Sequence, residues 1–477
     1  MTMAIDATIE RLRDRFGGRI VTRDDPDFAA VAATMYPTEG SEPLVVAQVA
    51  DVDDVVRVIA VARESGRPLA VRSGGHSGAG FGRVADGIVL DVRALDTIDI
   101  DVGSRTAWAG SGVTAGTYTT AAQEHGLVTG FGDTGSVGLG GLITGGGIGY
   151  LTRLHGLTID TLLAAEIVTA DGRVRVVDAE HEPDLFWAIR GAGANVGVVT
   201  RFQLRLHPLP EVTGGMLILP ATADALAGFL AAAEAAPEEL SAIANVMPCP
   251  PMPFVPAARH GELVIFGMLC YAGPPDAGLP ALAPFRALAE PIVDMLGPTT
   301  YGSFFPPEDP DYHPLAVSRT IYLDELDRPA IERLIDRLAT FDAPMRVAQL
   351  RVLGGAAARV SVDATAYAHR QRRIMGAIAA FYEGDDDRPI KQAWVDAVVG
   401  DLPLAPGQYV NFVNDEGEAG VRASYPGATW DRLAAIKRRY DPTNLFRRCQ
   451  NVPPAADAAT DAATAADGPD RIHVHKV

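Results

Sequence analysis

Arg72-Ser73-Gly74-Gly75-His76-Ser77-Gly78-Ala79-Gly80 sets a single histidine among glycines, directly after the short apolar run Pro68-Leu69-Ala70-Val71. A second glycine-rich stretch follows, Gly138-Leu139-Gly140-Gly141-Leu142-Ile143-Thr144-Gly145-Gly146-Gly147-Ile148-Gly149, with seven glycines in twelve residues. Turns alone account for some of them. The density is better explained by backbone N–H groups closing on a pyrophosphate, a contact that needs no side-chain charge. Two such loops predict a large, flat, phosphate-bearing ligand approached from two sides. His76 read alone is an ordinary hydrogen-bonded loop histidine; its glycine neighbours let the imidazole stand close to a planar ring.

Working outward, residues 43–71 read as strand, helix, strand. Leu44-Val45-Val46-Ala47 is the first run, Asp51 and Asp54 favour a helix N-terminus, and Val55, Val58, Ile59 and Val61 follow at helical spacing. Segments 88–92 and 97–101 read as strands, the second alternating with period two. A second lobe begins near residue 103. It has a helix over 113–125, the glycine run as a loop, and a hairpin in which 162–170 turns at Asp171-Gly172 into 174–177. A helical turn over 184–190 and a strand over 202–206 complete it. The glycine run loosely resembles a dinucleotide fingerprint, but no βαβ unit with a downstream acidic residue surrounds it.

Composition shifts after Pro208. Residues 208–405 are expected to form a separate domain, an antiparallel sheet covered by helices, with an Ala-rich helix over 223–236. A basic helix over 432–439 ends at Asp441-Pro442, and residues 455–477 are Ala/Asp-rich and expected to be disordered. The fold class is therefore α+β: a two-lobed domain over 1–207, the second domain, and a 406–454 segment.

The charge balance of 41 basic against 60 acidic residues, a net of −19, argues against nucleic acid and anionic membranes as partners. Cys249, Cys270 and Cys449 are too scattered for a disulfide framework or a metal site. No signal-peptide h-region and no long apolar span is seen, so a soluble cytoplasmic protein is expected.

Several strings together resemble the berberine bridge enzyme-like branch of the vanillyl-alcohol-oxidase-type FAD oxidases. They are residues 72–82, 132–149, Gly156-Leu157-Thr158-Ile159-Asp160, Ala170-Asp171-Gly172, Pro183-Asp184-Leu185-Phe186-Trp187-Ala188, and 193–200. Tyr409-Val410-Asn411, Tyr440-Asp441-Pro442-Thr443-Asn444-Leu445-Phe446 and Gln450-Asn451 extend the match, with a weaker echo at Leu353-Gly354-Gly355-Ala356. The resemblance implies an FAD domain of two lobes, a substrate domain whose sheet covers the flavin ring, and a C-terminal segment that returns to the FAD domain.

It also implies roles for residues. Arg72, Ser73, Gly74, Gly75, His76, Ser77, Gly80, Asp133, Thr134, Val137, Gly138, Gly140, Gly141, Gly145, Gly146, Gly147, Gly149, Gly197, Val198, Val199, Tyr409, Asn411 and Asn451 would hold the cofactor. His76 matches the histidine joined to the flavin 8α-carbon, and a neutral imidazole nitrogen is a competent nucleophile there. Many members add a bond from a cysteine before the glycine run. Thr134 stands at that position, and a hydroxyl is a far poorer nucleophile than a thiolate, so single attachment through His76 is expected. Val137 falls where the family admits O2, and its other reading is a packing valine.

The expected reaction removes a hydride from a carbon bearing a hydroxyl or amine and passes electrons to O2, giving H2O2. Its substrate would be a small alcohol, sugar, amine or secondary metabolite. Tyr409, Asn411 and Tyr150 are the candidate catalytic residues. Tyr409 as a tyrosinate base would need positive charge nearby, and its other reading is an aromatic packed under the ring. Asn411 suits orientation of substrate or flavin. His155, Asp415 and Glu416 are weaker candidates, and Gln349, Arg351, Tyr367 and His369 could face the pocket from the second domain. Alternatives are a dehydrogenase of the same fold with another acceptor, or a flavin carrier without turnover. Oligomeric state is not legible.

Overall fold

The computed structural model describes residues 2–37, 40–307, 309, 312–343, 345–384, 386–414 and 416–456. The first lobe is a four-stranded sheet in the order Arg19–Thr22, Val45–Gln48, Ile88–Asp91, Leu69–Arg72, the last three strands parallel. Helix Val52–Ser65 crosses between two of them. Asp51 caps its first turn by accepting from the Asp54 N–H at 3.0 Å, and Gly66 ends it at φ +67°. Val55, Val58, Ile59 and Ala62, spaced three and four apart, are buried against the sheet.

The second lobe is a five-stranded antiparallel sheet, ordered Ile98–Asp101, Thr106–Gly110, Val198–Arg205, Leu162–Val168, Val174–Asp178. The period-two strand alternates half-buried and exposed residues, as its sequence implies. One expectation is corrected here. The glycine run is not all loop: Leu139–Gly145 is a helix. Leu139, Leu142 and Ile143 sit at i, i+3 and i+4 and are buried, so core packing overrides the low helix propensity of the glycines.

The remaining large sheet is antiparallel throughout. Its order is Val293–Asp294, Val212–Pro220, Leu263–Ala272, Leu240–Pro248, Arg346–Val352, Ile374–Phe381, Ala316–Leu323, Leu404–Ala405. Helices Ala223–Ala235, Arg328–Thr340 and Arg388–Gly400 pack on one face, which carries Ala348, Leu350, Val352, Ile378 and Ala380. The alternate residues Val347, Gln349, Arg351, Ala377 and Ala379 face the other way, toward the two lobes.

Two elements tie the sheet to the lobes. Arg370, with no exposed side-chain surface, makes a bidentate pair with Asp160 at 2.7 and 2.8 Å. Arg153 donates to the carbonyls of Leu353 and Ala236. The backbone of Gly355 (φ +59°) lies so close to Arg153 that a Cβ would come within 2.3 Å of its carbonyl oxygen.

Helix Ala428–Tyr440 packs Leu433, Ala434, Ile436 and Tyr440 into the core of the second lobe. Of the tail, residues 457–477 lie outside the described residues. Its expected start at 455 is corrected: the Ala455 N–H donates to Ala434 O at 3.0 Å, and Ala455 packs on that core.

Candidate active site

The two glycine loops touch backbone to backbone. A Cβ on Gly138 would come within 2.0 Å of Ser73 Oγ and 2.3 Å of Gly74 N, and one on Gly74 within 2.3 Å of Gly138 N. Glycine is required because no side chain fits between the strands of chain. The second loop is held from behind, where the N–H groups of Ala115 and Gly116 donate to the carbonyls of Val137 and Gly135. Ser73 Oγ donates to Ser111 O at 2.7 Å.

Between these loops and the large sheet lies a cavity of about 850 Å³. Of the sequence-predicted residues, it is bordered by Arg72, Ser73, Gly74, Gly75, His76, Ser77, Asp133, Thr134, Val137, Gly138, Gly140, Gly141, Gly147, Gly197, Val198, Val199, Tyr409 and Asn411. Gln349 and Arg351 border it from the sheet. His76 Nε2 is 2.9 Å from Ser136 Oγ, which orients the ring. Arg72 borders the cavity, but its guanidinium is committed elsewhere, to Asp91 at 2.8 Å and Val31 O at 2.7 Å. Its charge supports the loop from below and is neutralised by Asp91. Burial lowers the Arg72 pKa despite that partner.

Other predicted residues stand one layer back. Gly145 packs under Asn411, whose amide oxygen would lie 1.9 Å from a Cβ there, and Gly146 packs under the Tyr409 ring. Gly149 abuts Phe131 O, and Gly80 O accepts from Arg448 at 3.0 Å. Asn451 accepts from the buried Lys437 ammonium at 2.7 Å. Tyr150 sits in an apolar cluster with Tyr301 and Phe304, its phenol pushed well up by burial, and does not reach the cavity. His155 stacks on His207 with ring centroids 3.8 Å apart. Tyr367 bonds Tyr322 at 2.7 Å, His369 bonds Ser424 O, and Glu416 pairs with Arg319. Asp415 lies outside the described residues.

Tyr409 is the hub of the C-terminal element. Its oxygen accepts from Gly147 N at 3.0 Å and from Asn411 Nδ2 at 3.2 Å. Burial raises its pKa, and the two donors and the Arg351 charge oppose that without reversing it. The phenol is therefore protonated at rest. Asn414, which the sequence reading missed, donates to Ser318 O and Oγ, and its amide packs against Gly78. Missed too were Ser111, Phe412, Tyr425 and Cys449, all bordering the cavity. Only Phe412 carried any signal, lying beside the Tyr-x-Asn element. The Cys449 thiol, remote in sequence from the glycine loops, is pushed up to about 11 by burial.

The residues present fit FAD. The N–H groups of Gly74, Gly75 and Gly78 donate to no acceptor among the described residues, as a phosphate cradle requires. Ser111 Oγ and Tyr425 OH are buried at the cavity without a hydrogen-bond partner among the described residues. Val137, Leu142, Val198 and Val199 offer apolar walls to flat rings.

Known proteins give the same reading. The family model "FAD binding domain" matches residues 43–178, and "Berberine and berberine like" matches 408–453. An FAD-linked oxidoreductase of Dictyostelium discoideum is 29% identical over 86% of this chain and 89% of its own. The (R)-6-hydroxynicotine oxidase of Paenarthrobacter nicotinovorans is 28% identical over 92% and 97%. The crystal structure of 6-hydroxy-D-nicotine oxidase from Arthrobacter nicotinovorans superposes with a TM-score of 0.80 at 26% identity, covering 92% of this chain and 98% of that one. BBE-like 1 of Physcomitrella patens shares the fold with a TM-score of 0.84 at 21% identity, over 94% and 100%. This chain is an FAD-linked oxidoreductase, with an FAD binding domain over 43–178 and a berberine-like segment over 408–453.

Proposed function

We propose that the protein is an oxidase whose FAD is bonded once, through His76, and which removes a hydride from a carbon bearing a hydroxyl or amine with O2 as acceptor. The observation that carries this is the position of His76, at the meeting of both glycine loops and braced by Ser136 at 2.9 Å. When bound, FAD supplies the electron-pair acceptor, and the chain's residues supply placement and proton management.

Thr134 cannot match a cysteine as second anchor, and Cys449 stays a thiol, and so a weak nucleophile, at neutral pH. The protonated Tyr409 suits hydrogen-bond donation to a substrate oxygen, with Asn411 and Gly147 holding its ring in place. Val137, half-buried beside the cavity, leaves room for O2. A role outside any membrane fits the absence, among the described residues, of a helix long and apolar enough to cross one.

Acid precipitation of the purified protein should retain the flavin in the pellet, and peptide mapping should place it on the His76 peptide. Release of all FAD into the supernatant, or a flavin on Cys449, would refute the single histidyl bond. Admitting air to the anaerobically reduced enzyme tests the acceptor: fast re-oxidation with H2O2 marks an oxidase, slow re-oxidation a dehydrogenase.

A further inference from the structure

Opposite the glycine loops, the cavity wall contributed by the large sheet is mostly small and apolar: Ala316, Val347, Ala377, Ala379 and Phe381. Its polar part is Ser318, whose hydroxyl accepts from Asn414 at 3.0 Å, and one connected cluster. Arg351, with 5% of its side chain exposed, donates to Asp133 Oδ2 at 2.5 Å and to Gln349 Oε1 at 2.6 Å. Gln349 in turn donates to Asn245 Oδ1 at 2.8 Å, and Asn245 to Phe266 O. The second Asp133 oxygen, Oδ1, has no partner among the described residues. Asp309 also borders the cavity, but as an exposed residue.

From this we propose that the substrate is a neutral, ring-bearing alcohol or phenol, apolar apart from one or two hydroxyls that dock on the Asp133–Arg351–Gln349 cluster. The inference rests on the reading of this cavity as the site of FAD-linked oxidation. A hydroxyl is both donor and acceptor: it gives its proton to Asp133 Oδ1 and receives from the Arg351 guanidinium or the Gln349 amide.

Charged substrates meet opposition. The Asp133 carboxylate faces a carboxylate substrate, and Arg351 faces an ammonium. With the two paired, neither sign of charge is repaid for its lost hydration. An oligosaccharide would press several hydroxyls against alanine, valine and phenylalanine. Each buried hydroxyl left without a partner is unfavourable.

The test uses the purified holoenzyme, mixed anaerobically with four panels: neutral cyclic and aromatic alcohols, mono- and oligosaccharides, amines, and hydroxycarboxylates. Flavin bleaching is recorded, and shifts of the flavin absorbance report ligands that bind without reacting. Neutral ring alcohols are expected to bleach or shift the flavin. In Asp133→Asn, which leaves the Arg351 charge unpaired, the kcat/KM of a carboxylate-bearing analogue relative to its neutral parent should rise at least about tenfold. In Arg351→Gln the ammonium-bearing analogue should gain by the same comparison.

Bleaching confined to saccharides, amines or hydroxycarboxylates overturns the proposal and leaves the oxidoreductase intact. So do unchanged ratios in both variants at normal flavin content, or silence from every panel with FAD bound. A purified protein that holds no FAD overturns the proposal and the reading beneath it together.

Discussion

The Tyr409 phenol oxygen accepts the N–H of Gly147 at 3.0 Å across 262 positions of chain. That contact joins the C-terminal element to the end of the second glycine loop, and Asn411 reinforces it by donating to the same oxygen and to Leu142 O. Gln450 extends the tie by donating to the carbonyls of Val413 and Asn414. The floor of the cavity is thus assembled from segments that no local rule connects.

Tyr409→Phe removes the acceptor shared by two buried donors. Each orphaned donor costs about 1–3 kcal/mol, so a lower thermal midpoint is expected. If the phenol also donates to the substrate, the rate of anaerobic flavin reduction should fall about 10²-fold with FAD content retained. Stopped-flow reduction alongside flavin quantification separates the two effects; an unchanged reduction rate would confine Tyr409 to packing.

Gly138→Ala is expected to abolish FAD incorporation, because its methyl group would overlap Ser73 Oγ and Gly74 N. Overpacking of this kind costs about 1–3 kcal/mol; the Gly74 N–H is backbone, and Ser73 Oγ is held by its bond to Ser111 O. Gly400→Ala is the control, since Gly400 does not border the cavity and a Cβ there meets nothing within 4 Å. The flavin-to-protein absorbance ratio and circular dichroism of both variants check this.

Arg370→Ala should destabilise strongly. It leaves the Asp160 carboxylate, 11% exposed at the junction of sheet and lobes, without its fully buried bidentate partner. Breaking such a pair from one side costs about 3–5 kcal/mol. A urea unfolding midpoint indistinguishable from the parent's would show that water compensates the carboxylate.

Stability should decline on mild acidification. Burial lowers His155 and His369 from 6.5 to about 4. Between those values the unfolded chain binds more protons than the folded one, so this stability is present above pH 6.5 and is lost as pH falls toward 4. Urea midpoints measured across that window should fall with pH, and His369→Gln should flatten the slope. A flat profile in the parent would rule out both histidines as its source.

Local pattern carried much of the architecture. Helix Val52–Ser65, the hairpin around Asp171-Gly172 and the alternating strand Ile98–Asp101 follow from periodicity, caps and turn chemistry that act within a few residues. Helix Leu139–Gly145 did not follow, because glycine argues against helix and only tertiary burial of Leu139, Leu142 and Ile143 reverses that. Tyr150 and His155 follow the glycine run closely in sequence, yet the chain turns both into packed layers away from the cavity.

By itself, then, the sequence determined that two glycine-dense loops, one carrying a histidine, could bring backbone close to a large ligand, because backbone freedom is written in residue type. It also set Gln349 and Arg351 on one face of a strand, because strand geometry alternates. Only the tertiary structure decided that this face meets Asp133 at 2.5 Å, that Arg72 spends its charge on Asp91, and that Cys449 borders the cavity. Those contacts join residues distant in sequence. Their partners are chosen by the packing of whole sheets and helices, which no local window of sequence contains.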